Sequence, residues 1–267
     1  MHFLISPAKT LDYDSAASTP AATRPRFLAQ SAELIGVLQP KTPDEIAGLM
    51  DLSPALAALN VARYAAWSRR FTERNSKPAV LAFNGDVYEG LNASTLSGDD
   101  LAWAQENVSI LSGLYGLLRP LDRMQPYRLE MGTSLATPRG KNLYEFWGDT
   151  LARQLNRQLG RRTSEQQAAH KPLPIVVNLA SQEYFRAVQG KALKAHVIEC
   201  VFEDWKGSGY KVISFFAKRA RGLMLRHAIT QRLTDPAGLT KFKAEGYRFA
   251  GSVSEPDRLV FRRRVES

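Results

Sequence analysis

Apolar residues in this 267-residue chain come in short runs, and their spacing alternates between every second position and every third or fourth. The first spacing is that of a strand with one buried face, the second that of a helix. The chain opens on HFLIS, a short strand that runs into Pro7, and continues in a loop rich in Ser, Thr, Ala and Pro up to Pro25. A helix is predicted over Phe27 to Leu38, with Leu28, Leu34, Ile35 and Leu38 on its apolar face. Thr42-Pro43-Asp44-Glu45 is a capping box with proline at the first helical position, which predicts a helix to about Met50. Ser53-Pro54 repeats that start signal, and the second helix carries Leu56, Leu59, Ala62, Arg63 and Trp67, so two helices flank the short turn Asp51 to Ser53.

After Pro78 the run AVLAF reads as a buried strand closed by the Gly85-Asp86 turn. Ser97 caps a further helix, with Asp99 and Asp100 in the first turn, where negative charge suits the helix dipole. A strand over Val108 to Leu111 leads into SGLYGLLRPLDRMQPYRLEMG, whose Gly113, Gly116, Pro120, Pro126 and Gly132 rule out one long helix. Leu143 to about Leu159 is predicted as a helix with Phe146, Trp147, Leu151, Leu155 and Leu159 on one face. Residues 161–174 are polar and without period, and are expected to form a flexible loop. Strand Ile175 to Leu179, helix Ser181 to Val188, hairpin strands Val197 to Trp205 and Tyr210 to Ala217, and helix Lys218 to Leu233 follow. Closing strands near Tyr247 to Ala250 and Arg258 to Arg262 end in the basic tail Arg262-Arg263-Arg264. Gly207-Ser208-Gly209 marks an antiparallel turn, so the expected fold is α/β (α+β mixed): a single compact domain over 1–267, with a mixed β-sheet flanked by helices.

Composition agrees, with 44% hydrophobic and 23% charged residues, enough to bury a sizeable core. No window approaches the roughly 18 uninterrupted apolar residues of a membrane helix. Lys9 and Asp12 interrupt the N-terminus where a signal peptide needs an apolar run, so a cytoplasmic protein with no membrane partner is expected. The single cysteine, Cys200, cannot form an intramolecular disulfide, and the alternation of HVIECVFEDW reads it as a buried structural thiol.

Charge changes the picture more. The chain carries a net +10, and between Trp205 and Thr234 there is no acidic residue, yet there are Lys206, Lys211, Lys218, Arg219, Arg221, Arg226 and Arg232. Such concentration points to phosphates; the alternative is a solvated helix face with acids folded nearby. In the helix from Lys218, Ala220, Leu223, Met224, Ala228 and Ile229 form a core-facing stripe, with Lys218, Arg221, Arg226 and Arg232 mostly outside it. Its apolar edge has no bulky aromatics, which favours nucleic acid over lipid.

Several chemistries are absent. His2, His170, His196 and His227 show no metal-ligand spacing, so no metal site or cofactor is expected. The segment from Gly85 to Gly90 mimics the start of a phosphate-binding loop, but Leu91-Asn92 stands where Lys-Ser/Thr is required. Lys9, Asp86 and Glu183 sit at element ends, where α/β proteins gather ligands. Arg119, Asp122, Arg128 and Glu130 add charges from the glycine-proline block, and Lys218 and Arg221 open the basic helix. All of these could equally be salt bridges and caps.

The blocks SPAKTLD, AFNGDVYEGL, LSGLYGLLRPLDRMQPYRLEMG, LYEFWGD, NLASQEYF and KRARGLMLR, in this order, resemble the YaaA family of bacterial proteins. The resemblance implies a role in resistance to hydrogen peroxide, restraint of the unincorporated iron that drives oxidative damage, and DNA binding. It further implies a single-domain α/β fold with a helix-hairpin-helix element and a basic cleft. Thr42 to Trp67, with Arg63, looks like that element; LSGLYG at Leu111 to Gly116 competes, since glycine amides can hold a phosphate. With the charge pattern, this leads to a monomer that binds duplex or branched DNA without strong sequence preference. Its expected contacts are Lys9, Arg63, Arg119, Arg128, Lys218, Arg219, Arg221 and Arg226, with Lys218, Arg219 and Arg221 in solvent. The rival expectation is an enzyme acting on a nucleotide-like or other anionic small molecule, with Lys9, Asp86, Glu130, Glu183, Lys218 and Arg221 converging in a pocket. A third is direct iron binding by Asp86, Asp122 and Glu130. One partly apolar cleft would favour catalysis, an open basic groove of duplex width DNA.

Overall fold

Five parallel strands form the centre of the sheet that organises the molecule. The computed structural model describes residues 1–163 and 173–264. In chain order its strands are β1 (His2–Ile5), β2 (Thr10–Leu11), β3 (Lys77–Pro78), β4 (Phe83–Asn84), β5 (Val108–Ser112), β6 (Gly116–Leu118), β7 (Arg123–Met124), β8 (Ile175–Leu179), β9 (His196–Lys206), β10 (Gly209–Lys211), β11 (Lys243–Ala244), β12 (Tyr247–Phe249) and β13 (Arg258–Arg263). Its helices are α1 (Leu28–Leu38), α2 (Pro43–Met50), α3 (Pro54–Ala66), α4 (Ala79–Ala82), α5 (Asp86–Leu91), α6 (Gly98–Asn107), α7 (Leu143–Trp147), α8 (Thr150–Thr163), α9 (Gln182–Phe185) and α10 (Ser214–Thr230).

The main sheet has the order β11-β12-β13-β9-β8-β1-β5-β6, with β10 paired to β9. Strands β5, β1, β8, β9 and β13 are parallel, and antiparallel partners close both edges. This is the mixed α/β architecture expected from the sequence. A parallel strand covered on both faces reads as an unbroken apolar run. That is why HFLI of β1 is buried at every position, while β9, nearer the edge, alternates. The chain leaves β1 towards β5 on one side, then returns across β1 to lay β8 on the other side and continues outward to β9. The connections leaving β1 and β8 therefore diverge, and a crevice opens at the carboxyl ends of these two strands.

Helices α5 and α10, far apart in sequence, cross almost in backbone contact. A Cβ placed on Gly222 would lie 1.8 Å from the Val87 carbonyl oxygen, and one on Gly90 would lie 2.2 Å from that of Arg219. Only glycine at both positions allows this approach.

Both start signals of the helical pair are present: Thr42 and Glu45 form a reciprocal capping box, and the Ser53 hydroxyl accepts from the Leu56 amide. Asp51 turns the chain between α2 and α3 in a left-handed conformation, φ 51°. Other expectations need correction. AVLAF is a helical turn, α4, followed by two strand residues, because the Ala79 and Val80 amides donate to the carbonyls of Asp122 and Pro120 rather than to a neighbouring strand. The helix predicted from Leu143 breaks at Gly148, φ +44°. The strand predicted to Ala217 stops at Lys211, and α10 starts at Ser214, since Ala217 continues the buried helical stripe of Ala220, Met224 and Ala228. Leu111 to Gly116 is buried throughout, with Trp147 and Leu151 against Gly116, so its amides are closed to a phosphate. The loop expected at 161–174 falls mainly outside the described residues. No helix among the described residues is long and apolar enough to cross a membrane.

Candidate functional site

The crevice between β1 and β8 is a cavity of about 490 Å³. Three elements are tied together at its base: the Ser181 amide donates to Ser6 Oγ (2.9 Å), and the Tyr88 hydroxyl donates to the Ser6 carbonyl (3.0 Å). This joins the end of β1, the turn after β8 and helix α5. From the segment after β7, Arg128 and Glu130 reach the cavity while the Tyr64 hydroxyl donates to the Arg128 carbonyl. Ser112 and Tyr127 share a hydroxyl hydrogen bond of 2.6 Å that anchors the same segment to β5. Glu183 is held by the Gly132 amide, which donates to its Oε1 at 2.9 Å. The α5–α10 crossing brings Asp86, at the start of α5, to the same cavity as Lys218 and Arg221.

Lys9, Asp86, Glu130, Glu183, Lys218 and Arg221 therefore all line one cavity, together with Arg128. Its walls include the buried side chains of Val87, Tyr127, Leu129 and Tyr184. Glu130 sits between two cations, Lys9 Nζ at 2.9 Å and Arg128 Nη2 at 3.2 Å. Lys218 is exposed and makes no hydrogen bond or ion pair to the described residues. Arg221 is mostly buried, and its Nε is sealed from solvent without a hydrogen-bond partner. Burial pulls its pKa below the usual arginine value, against the through-space pull of Glu199 and Cys200. Four cations thus face three carboxylates, which is a mixed and not a uniformly basic lining.

The other expected DNA contacts lie elsewhere. Arg63 is half-buried on α3 near Tyr13 and Tyr64, and burial lowers its pKa. Arg119 is latched to the fully buried Asp122, Nη2 to Oδ1 2.8 Å. Arg219 meets Glu245 at 2.5 Å and Glu89 at 3.7 Å, and Arg226 donates to the Leu91 and Asn92 carbonyls at 2.9 Å each, closing the end of α5. Arg232 meets Asp100 at 2.6 Å. In the tail, Arg262 pairs with Glu203 and Arg263 with Asp204. The expectation that Lys218, Arg219 and Arg221 all stand in solvent therefore holds for Lys218 alone. Arg219 is paired, and Arg221 turns inward because the buried face of α10 extends through Gly222 and Leu225. Asp122 does not join Asp86 and Glu130, since Thr23 Oγ1 and Arg119 already occupy its carboxylate inside the protein. Among the described residues no group of three or more His, Cys, Asp or Glu side chains could hold a metal ion.

Sequence reading missed Ser6, Ser181 and the glycine pair. The glycines left a signal, because Gly90 and Gly222 lie inside helices, where glycine costs about 1 kcal/mol relative to alanine and calls for a packing reason.

Fold and cavity together define an α/β protein with a mixed-charge crevice at a topological switch point. The chain belongs to the YaaA family of peroxide stress proteins: the family model described as "Peroxide stress protein YaaA" matches residues 1–252. A UPF0246 protein of Bordetella petrii is 62% identical over 266 residues, 99% of this chain and 100% of the relative. UPF0246 proteins of Polaromonas sp. (strain JS666) and Bordetella pertussis are 61% and 60% identical over 264 residues, with 99% of each chain covered.

Proposed function

We propose that this peroxide stress protein works through the switch-point cleft, which receives an anionic small molecule and offers it carboxylates for acid–base chemistry. One observation carries the reading: seven charged residues scattered from Lys9 to Arg221 line a single partly apolar cavity. Its volume of about 490 Å³ lies in the range of small-molecule sites. Lys218 and Arg221 hold the anionic group, and Asp86 and Glu183 are the candidate general acid and base. Glu130, engaged by Lys9 and Arg128, orients the wall. Thermal unfolding with a panel of nucleotides and sugar phosphates tests this, since a ligand that binds only the folded state raises Tm. Stabilisation that disappears in Lys218→Glu is the expected result; no stabilisation by any anion at millimolar concentration would sink the reading.

A second reading has its own support in the net charge of +10 and in Lys9 and Lys218, both exposed on the cleft. Here duplex or branched DNA lies across the mouth, with its phosphates on these lysines and little contact to bases. The protein then acts as a cytoplasmic monomer that limits iron-driven damage indirectly, without chelating iron. Anaerobic iron titration checks that last point, because saturable micromolar binding would contradict it.

A further inference from the structure

Among the described residues, Arg221 and the half-buried Arg63 differ from four other shielded arginines in having no carboxylate partner, and of the two only Arg221 lines the cleft. Arg119, Arg128, Arg262 and Arg263 each meet a carboxylate, at 2.6 to 3.2 Å. Arg221 makes no hydrogen bond to the described residues, although a guanidinium carries five N–H donors. Glu199 acts on it through space without bonding it. A sealed N–H donor without a partner is costly, and the cost falls away when an anion completes the site.

Arg221 lines the cleft, as does Lys218 one helical turn earlier on α10. Lys9 and Arg128 are already engaged by Glu130, so Arg221 and Lys218 are the two cations of the cleft left for a ligand. Two cations match a dianion. Further phosphates would meet the carboxylates of Asp86 and Glu183, which suit hydroxyl groups instead. Beyond a phosphate, the cavity leaves room for a body of nucleoside size against Tyr127, Leu129 and Tyr184. We infer that Arg221 is a pre-formed receptor for the phosphate of a nucleoside monophosphate, with Lys218 as the second cation. The inference rests on the reading of the cleft as a site for an anionic small molecule.

The test uses Arg221→Met, which keeps the length of the side chain and removes the charge. Inorganic phosphate and adenosine monophosphate are the probes and adenosine is the control, followed by thermal unfolding and calorimetry on the full chain. Wild type should be stabilised by both phosphates and not by adenosine. The variant without ligand should be at least as stable as wild type, because a sealed donor without a partner has gone, whereas a structural arginine would leave a less stable protein. Its affinity for adenosine monophosphate should fall at least about 30-fold, the loss typical for truncating one partner of a buried charge pair. A destabilised variant that binds as wild type does would overturn the receptor assignment. Binding that depends on Lys218 but not on Arg221 would overturn it too, and leave the cleft reading standing. If neither phosphate nor adenosine monophosphate binds wild type, the receptor assignment fails, and the cleft reading fails with it only if no other anion of the panel stabilises the protein.

Discussion

Cys200 is the one thiol of a chain from a peroxide stress family, and its surroundings disarm it. Burial pushes the thiol up to about 12, and the thiolate is the form that reacts with peroxide. Native protein treated with hydrogen peroxide should therefore keep Cys200 reduced; a sulfenic or sulfinic acid found there by peptide mass spectrometry would contradict this. Asp122 is occupied in another way. It is fully buried and accepts from Thr23 Oγ1 at 2.6 Å, the Arg119 amide at 2.8 Å and the Arg119 guanidinium. Asp122→Ala would strand Arg119 and should cost about 3 kcal/mol in urea unfolding, the low end for breaking a buried pair. A loss below about 1 kcal/mol would show that the latch is unimportant. Asp100 responds to pH. The Ser97 hydrogen bonds, then Arg232, hold its carboxyl below the usual value, so the group adds stability above about pH 4, its unfolded range, and loses it as pH falls through the folded pKa. The acid limb of stability against pH should be shallower in Asp100→Asn. Such charges were all visible in the sequence, but their partners were not: Arg232 and Asp100 meet across 132 positions.

At the scale of elements, what is local was legible. The capping boxes at Thr42 and Ser97 and the run IVVNL of β8 are where the sequence puts them, because a cap or a buried strand is decided within a few residues. AVLAF and the start of α10 were misread, because a short buried apolar run has the same composition in either conformation, and distant carbonyls decide between them. Glycines show the same limit. Gly36 in α1, Gly48 in α2 and Gly222 in α10 look alike in sequence, yet nothing lies within 4 Å of a Cβ on the first two, while Gly222 faces the Val87 carbonyl. Gly36→Ala or Gly48→Ala should stabilise the protein by about 0.5–1 kcal/mol. Gly222→Ala should cost about 1–3 kcal/mol and weaken ligand binding, as α5 and its Asp86 move away from α10. Equal melting temperatures for the Gly222 and Gly48 variants would show that the crossing does not matter.

Over the whole molecule the question is where a net charge of +10 goes. Of the cations in the acid-free stretch, Arg219 and Arg232 are paired with acids and Arg226 with carbonyls, while Lys218 and Arg221 line the cleft. If DNA binds across the mouth, log affinity should fall linearly with log salt, and Lys218→Ala should reduce the slope by about one, the value for one lost phosphate contact. Arg226→Ala should leave the slope unchanged and act on stability instead. Anisotropy of a labelled duplex over a range of salt measures both, and a salt-independent affinity would exclude the electrostatic contact. Sequence alone carried several of the strands and helices, most helix starts, the charge excess and the ordered blocks of the family, since each depends on residues near one another along the chain. Tertiary structure alone decided which of the charges gather in one cleft. The return of the chain across β1 to β8 makes the crevice, and the contact of Gly90 with α10 and of Gly222 with α5 brings Asp86 and Arg221 to it. Both are contacts between segments more than a hundred residues apart, and no local spacing encodes them.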